Sequence, residues 1–416
     1  MNEEQNKYQL PKDWKWEVSS NILDIRDGTH DTPKYVNKIG IPLITSKNLK
    51  ENKIDFEKVS YISNEDHAEI SKRSKVEAGD ILFAMIGTIG NPAIIKGDAN
   101  FSIKNVGLFK KNEHVILPSF LVNFLRSHTF EKQMNERKLL KGTTQKFIPL
   151  GNLRNINIPL PPKPTQLAIV SKIEELFSEL DKGIENLHTA QQQLKTYRQS
   201  VLKWAFVNEN FKDFILKDIT DKIQIGPFGT QLHKEDYIEN GIPLINPTHI
   251  KGGFIQADTS FSILKSKRDS LPNYILREGD VIMGRRGEMG RCGLVTRKEA
   301  GWFCGTGSLY FRPDVKKVNP VFLYYNLSSQ SVKKYLDNNA GGTIMANLNL
   351  KIVNDIPISL PSIEEQNTIV KEIESRLSVA DKMEESITQS MQKAEALRQS
   401  ILKKAFEGKL IQIKKY

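Results

Sequence analysis

Apolar residues recur along this chain at two different periods. Ile173, Leu180, Leu187, Leu194 and Val201 fall at every seventh position. Ile373, Ala380, Ile387, Ala394 and Ile401 repeat the pattern near the C-terminus. Charged and amide side chains fill most positions between, so each stretch predicts one long helix with a coiled-coil seam. Leu176, Gly183, Ala190, Tyr197 and Trp204 are expected to complete the seam of the first helix. In the second helix Arg376, Ser390 and Lys404 interrupt Met383 and Leu397 at that place. A proline stop precedes each helix, "PLPPKPTQ" and "SLPSIEEQ". Glu364 and Glu365 then sit where carboxylates favour the helix dipole.

Ahead of each helix the pattern changes to short apolar runs set off by glycine and proline. Residues 41–45, 80–86, 242–245 and 280–283 read as strands, and 119–140 as a helical stretch. The two mixed regions are copies of one another. "GIPLITSKNL" from Gly40 returns as "GIPLINPTHI" from Gly241, and "GDILFAMIGTIG" from Gly79 as "GDVIMGRRGEMG" from Gly279. "YRQSVLKWAF" from Tyr197 returns as "LRQSILKKAF" from Leu397. This period is far longer than that of a solenoid and marks a tandem duplication. The expected fold is α/β (α+β), with two similar globules and two long helices. The boundaries are 1–164 for the first globule, 165–207 for the central helix, 208–362 for the second globule, and 363–416 for the last helix and tail.

Geometry orients these parts. A helix of about 40 residues spans about 60 Å, whereas a globule of about 155 residues is only about 40 Å across. The second globule cannot return the chain to the start of the first helix. The helices are therefore expected to run antiparallel, giving a quasi-circular, pseudo-twofold chain.

Composition narrows the function. The net charge is +11 and the sequence pI about 9.3, a balance that favours a polyanion partner, nucleic acid first. No apolar run is long enough for a transmembrane helix, and the polar N-terminus does not read as a signal peptide. The two cysteines, Cys292 and Cys304, are expected to be free, buried thiols of a cytoplasmic protein. No phosphate loop, zinc-protease helix or amino-methyltransferase Asn-Pro-Pro-Tyr/Phe segment occurs. The seven histidines are scattered. No catalytic residue, metal site or bound cofactor is assigned.

Recognition of duplex DNA by paired modules needs Arg or Lys for guanine, Asn or Gln for adenine, and small polar groups for phosphates. Such residues cluster in loops beside the shared frames. In the first copy they are Thr29, His30 and Thr32; Ser46, Lys47, Asn48 and Lys50; and Thr143, Thr144, Gln145 and Lys146. In the second they are Thr230, Gln231 and His233; Thr248, His249 and Lys251; Arg285, Arg286 and Arg291; and Thr343, Asn347 and Asn349. For His30 an internal role in its turn is an equal reading, and for Asn347 and Asn349 a capping role. The repeated Gly-Asp pairs, Gly79-Asp80 and Gly279-Asp280, read as scaffold.

The segments "DGTHDTP", "GIPLITSKNL", "AGDILFAMIGTIG", "IPLPPKPTQLAIVSKIEELFSELD" and "RQSVLKWAF", with their second-half partners, resemble the specificity subunits of type I restriction-modification systems. They cover nearly the whole chain, although "DGTHDTP" has the different counterpart "IGPFGTQL". The resemblance implies two target-recognition domains, each reading half of a bipartite asymmetric site in double-stranded DNA. It implies an antiparallel coiled coil that sets the spacer and docks two methyltransferase subunits, which modify adenine N6 with S-adenosylmethionine on a flipped base. Restriction and translocase subunits using ATP and Mg would join them, with no membrane partner. Two other readings stay open: a recognition partner of a fused methylase-nuclease, and a coiled-coil scaffold for proteins. In every case Ile173, Leu180, Leu187, Leu194, Val201, Ile373, Ile387 and Ile401 are the expected packing and partner residues.

Overall fold

The structure, a computed structural model, describes residues 10–37, 39–50, 52–206, 211–287, 290–340 and 348–411. The chain divides into two compact units, Met1–Leu187 with Gln389–Tyr416, and His188–Thr388. Each contains one globule and part of both long helices.

In the first unit four strands form an antiparallel sheet: β1 (Ile25–Asp27), β2 (Ile81–Ala84), β3 (Gly90–Ile94) and β4 (Val106–Phe109), in the spatial order β1-β4-β2-β3. Every residue of β2 and β4 is buried, as a central strand covered on both faces requires. A smaller sheet joins Ser60–Ile62, Ile41–Thr45 and Ser102–Lys104. Helices α1 (Pro118–Leu125) and α2 (His128–Glu136) cover the core. They replace the single helical stretch expected over 119–140. The break comes at Ser127, whose hydroxyl accepts the Phe130 N–H at 3.3 Å and starts a new helix. Lys15–Val18 pairs antiparallel with Asn157–Leu160, so the globule closes where the first long helix, α3 (Lys163–Phe206), begins.

The second unit repeats this frame. Strands β5 (Thr220–Ile225), β6 (Val281–Gly284), β7 (Cys292–Leu294) and β8 (Ser308–Pro313) take the order β5-β8-β6-β7, all antiparallel. Helices α4 (Pro320–Leu327) and α5 (Gln330–Asn339) cover it. Lys212–Ile215 pairs with Pro357–Leu360 and closes the globule before α6 (Ile363–Phe406).

The repeated Gly-Asp pairs build this scaffold. Asp80 is fully buried and bridges Lys110, at 2.6 Å, to the Glu77 and Lys111 amides. Asp280 is buried likewise and takes the fork of Arg312, at 2.8 and 2.7 Å, with the Arg277 amide. The glutamine that follows each proline stop is also fully buried. Gln166 accepts the Leu117 N–H and donates to the Val115 and Pro161 carbonyls. Gln366 does the same with Asn319, Lys317 and Pro361. Each glutamine thus ties the first turn of a long helix to the loop ahead of a globule helix.

Within each unit the two long helices run antiparallel. In the first, the start of α3 (Ile169, Val170, Ile173) shares a core with the end of α6 (Ile401, Leu402, Ala405, Phe406). In the second, the end of α3 (Val201, Ala205) packs on the start of α6 at Ile373. The arginine of each "RQS" segment ties the pair. Arg398 bridges to Asp181 and lies 5.0 Å from the Phe177 ring centre; Arg198 bridges to Asp381 at 2.6 Å and Glu384 at 2.9 Å.

All eight expected seam residues are buried or half-buried. The complementary row follows expectation at Leu176 and Ala190 and shifts by one position at the end of the helix. Leu176 and Ala190 of the expected row are half-buried, as are Phe177, Ile184, Gln191 and Arg198 of the next, and Ala205 is buried, whereas Gly183, Tyr197 and Trp204 are exposed. Spacings of three-four and four-three are equivalent on an isolated helix, and only the partner helix chooses between them. Among the described residues, no helix is long and apolar enough to cross a membrane.

Replacing Gln166 with alanine strands a buried N–H and two carbonyls, and is expected to lower the stability of the first unit by about 2–4 kcal/mol. Asp381→Asn, at an exposed ion pair, is expected to cost under about 1 kcal/mol. Urea unfolding of the two variants compares them, and equal losses would refute the anchoring role of Gln166. Burial pushes the Cys292 thiol up to about 12 and raises Cys304 also. Both thiols are therefore expected to resist a thiol reagent at about pH 8 in the folded chain and to react in denaturant. Fast labelling of the native protein would contradict their placement.

Candidate nucleic-acid interface

Strand register brings the candidate loops of each unit to one end of its main sheet. In the first unit Asp27, ending β1, pairs with Gly107, and Val106, starting β4, pairs with Ala84 at the end of β2. The loop after β1 turns at Gly28, whose N–H donates to the Val106 carbonyl at 2.9 Å. A Cβ there would stand 2.3 Å from the Ile103 oxygen, so only glycine fits. Thr29 and Asn105 then exchange backbone bonds with their neighbours, Thr29 N–H to Ile103 and Asn105 N–H to Thr29.

Side chains complete the loop. The buried Asp27 carboxylate faces His30 Nε2 at 2.8 Å and forms an ion pair with Arg73. His30 Nδ1 lies 2.9 Å from Asn105 Oδ1, Ser46 donates to the Asn105 carbonyl, and Lys104 donates to Thr32. Thr29, His30 and Ser46 thus gather around Asn105, and Thr32 is held by the adjacent Lys104. Beside them Lys141 and Phe147 close a hairpin that exposes Thr143, Thr144, Gln145 and Lys146 at its tip. The Gly87 and Ile148 amides dock this hairpin onto the Lys146 and Met85 carbonyls. Lys47 is exposed. Lys50 is exposed and paired with Asp55 at 2.8 Å, a hydrogen bond that raises the lysine pKa and lowers that of the carboxylate.

The second unit presents the same sheet end. Gly226 donates to the Ser308 carbonyl at 2.9 Å, and its missing Cβ would meet the Gly305 oxygen at 2.0 Å. Thr230, His233, Thr248, Lys251 and Arg286 are exposed. The Arg285 amide donates to Gly307, and its carbonyl accepts from Leu348. Arg291 is half-buried and donates to the Pro247 carbonyl at 3.2 Å.

Several expected readers are instead committed to the scaffold. Asn48 is buried: its oxygen accepts from the Thr45 amide and hydroxyl, and its amide donates to the Asp55 and Lys58 carbonyls. Its hydrogen-bonding capacity is full. His249 holds the equivalent position, buried, with Nδ1 3.2 Å from the Asn246 amide nitrogen and 3.0 Å from the Leu244 carbonyl oxygen. Gln231 accepts the Tyr274 hydroxyl at 2.6 Å, and Asn349 caps the helix Leu350–Asn354 through the Ile352 amide. Arg285 parts from Arg286. It is 6% exposed, and burial together with the Arg286 charge holds its pKa below the ordinary arginine value. Its Cζ lies 5.8 Å from the Phe228 ring centre. Thr343 and Asn347 lie outside the described residues. Asp27, Arg73, Asn105 and Phe228 were not singled out by the sequence. The readable signals were an acidic residue opening "DGTH" and a phenylalanine inside an otherwise polar glycine loop.

The family model for the type I restriction modification DNA specificity domain matches residues 11–189 and again 208–393. A putative type I restriction enzyme MjaX specificity subunit from Methanocaldococcus jannaschii is 25% identical, across 97% of this chain and 95% of that protein. The EcoKI specificity subunit of Escherichia coli K12 is 24% identical, across 96% of this chain and 90% of its own length. Among solved structures, a chain from work on complex assembly and conformational transition of the type I R-M system superposes with a TM-score of 0.73 at 20% identity, covering 97% of this chain and all of that one. The HsdS subunit from Thermoanaerobacter tengcongensis gives 0.58 at 21%, covering 98% of this chain and all of its own. With both halves matched and the same two-globule, two-helix fold, the chain belongs to the family of type I restriction modification DNA specificity proteins.

Proposed function

We propose that this chain is the DNA sequence-recognition subunit of a type I restriction-modification complex, with each globule reading one half of a bipartite asymmetric site. The observation that carries the reading is the sheet end shared by both units. One backbone frame, fixed by Gly28 or Gly226 and by Asp80 or Asp280, carries two different sets of exposed polar side chains. A copied scaffold with diverged loops suits two modules that read different bases. The formal charge of +11 suits phosphate contact.

The long helices set the spacer and dock the methyltransferase subunits. Their outer face supports this role. In the second unit Tyr197, Trp204 and Met383 are 41–52% exposed, and the Arg376 guanidinium lies 4.4 Å from the Trp204 ring centre. A groove of about 400 Å³ runs there between Leu194, Tyr197, Met383 and Ile387. The chain itself performs no chemistry and binds no cofactor. S-adenosylmethionine belongs to the methyltransferase subunits that modify adenine N6, and ATP and Mg to the restriction and translocase subunits. Localisation is cytoplasmic, where the DNA is.

Methylome sequencing of cells carrying this chain with its methyltransferase partner, against cells lacking the chain, tests the proposal. A bipartite N6-methyladenine motif that disappears with the chain is the expected result; an unchanged methylome with active methyltransferase would sink it. Arg286→Ala is expected to relax only one half of that motif, and equal loss in both halves would oppose the division of labour. Duplex binding by the assembled complex is expected to fall by about 10³-fold or more between about 50 and 200 mM salt. A salt-insensitive association would favour the protein-scaffold alternative.

A further inference from the structure

The turn that follows the first strand of each main sheet is built on one backbone and finished in two ways. Gly28-Thr29-His30 and Gly226-Pro227-Phe228 occupy the same place, since both glycine amides donate to the first residue of the neighbouring strand, Val106 or Ser308. His30 turns its ring nitrogens onto Asp27 and Asn105, so its polar atoms serve the loop itself. Phe228 has no such use. Its carbonyl accepts from the Gln231 and Leu232 amides, which fixes the turn, while the residue remains 59% exposed. Arg285 supports the ring from below, with Cζ 5.8 Å from the ring centre, and is itself buried. Arg286, next to Arg285 in the chain, is exposed, as are Thr230 and His233, which follow Phe228 within five residues.

A phenylalanine held out from a fixed turn, among basic and hydroxyl side chains, combines an apolar contact surface with neighbours suited to phosphates. In the major groove the one apolar group offered by the four base pairs is the C5-methyl of thymine. We infer that Phe228 is a specificity-determining residue that contacts a thymine methyl in the half-site read by the second unit, with Arg285 holding its ring in position. This inference rests on the DNA-recognition reading above and extends it to one residue and one functional group of DNA.

The test removes that methyl group alone. Once the methylome has given the two half-sites, each thymine of the second half-site is replaced in turn by deoxyuridine. Binding to the complex of full-length chain and methyltransferase subunits is then measured. One position is expected to lose about fourfold in affinity with the native chain, the effect of one buried methyl group. The same replacement is expected to have no effect with Phe228→Ala, while replacements in the first half-site affect both proteins alike. Phe228→Leu supplies the comparison if the alanine variant does not assemble. A second half-site without thymine on either strand overturns the inference, as does equal sensitivity of native and variant proteins at every position. A rise in 2-aminopurine fluorescence at this half-site that depends on Phe228 also overturns it, because the ring would then be a wedge between base steps. Each of these results leaves the recognition reading standing. Absence of any chain-dependent methylation motif removes both.

Discussion

Each globule packs on the apolar end of a long helix, the first on that of the C-terminal helix and the second on that of the helix just before it. The first core is completed by Ile401, Leu402, Ala405 and Phe406, and the Phe406 ring lies 5.2 and 5.4 Å from those of Phe120 and Phe124. In the second unit Phe206 stacks edge-on against Phe322 at 5.2 Å. Burying a phenylalanine side chain is worth about 1.5–3 kcal/mol, so exposing either end would be costly. This burial fixes antiparallel helices in each unit and explains why the "RQS…AF" segments recur. Their arginines bridge the helices and their phenylalanines enter a globule.

With the helices held, each sheet can be a fixed platform. Buried Asp80 and Asp280 bind the strand ends through Lys110 and Arg312, and buried Gln166 and Gln366 bind helix to globule. Such groups must be fully hydrogen-bonded to be tolerated, which makes their positions intolerant of change. Side chains at the opposite limit, on exposed loop tips, carry no such restriction. Side-chain differences between the copies are therefore tolerated at the sheet end where the loops emerge.

Divergence between the two copies is not always divergence of function. Asn48 and His249 occupy equivalent positions and differ, as two readers of different bases would. Both are buried and accept an N–H from the residue three positions earlier. Two chemically different side chains can perform one capping task, so a difference between copies does not by itself mark a contact residue. Arg285 and Arg286 are adjacent and alike in sequence, yet one lies beneath Phe228 and the other faces solvent.

The sequence by itself determined the duplication, the two mixed globules, the two long helices with their primary seam, and the loops where polar side chains diverge. Those features depend on periodicity, local stop signals and the comparison of one half with the other, all of which a linear chain records. Tertiary structure decided the rest. It chose Arg198 and Ala205 over Tyr197 and Trp204 for the inward face at the end of the first long helix, because only a partner helix distinguishes two equivalent spacings. It also decided which polar residues of each loop are spent internally, because a hydrogen bond such as His30 to Asn105 joins positions far apart in sequence. Burial and pairing are properties of the folded neighbourhood, and no single position carries them alone.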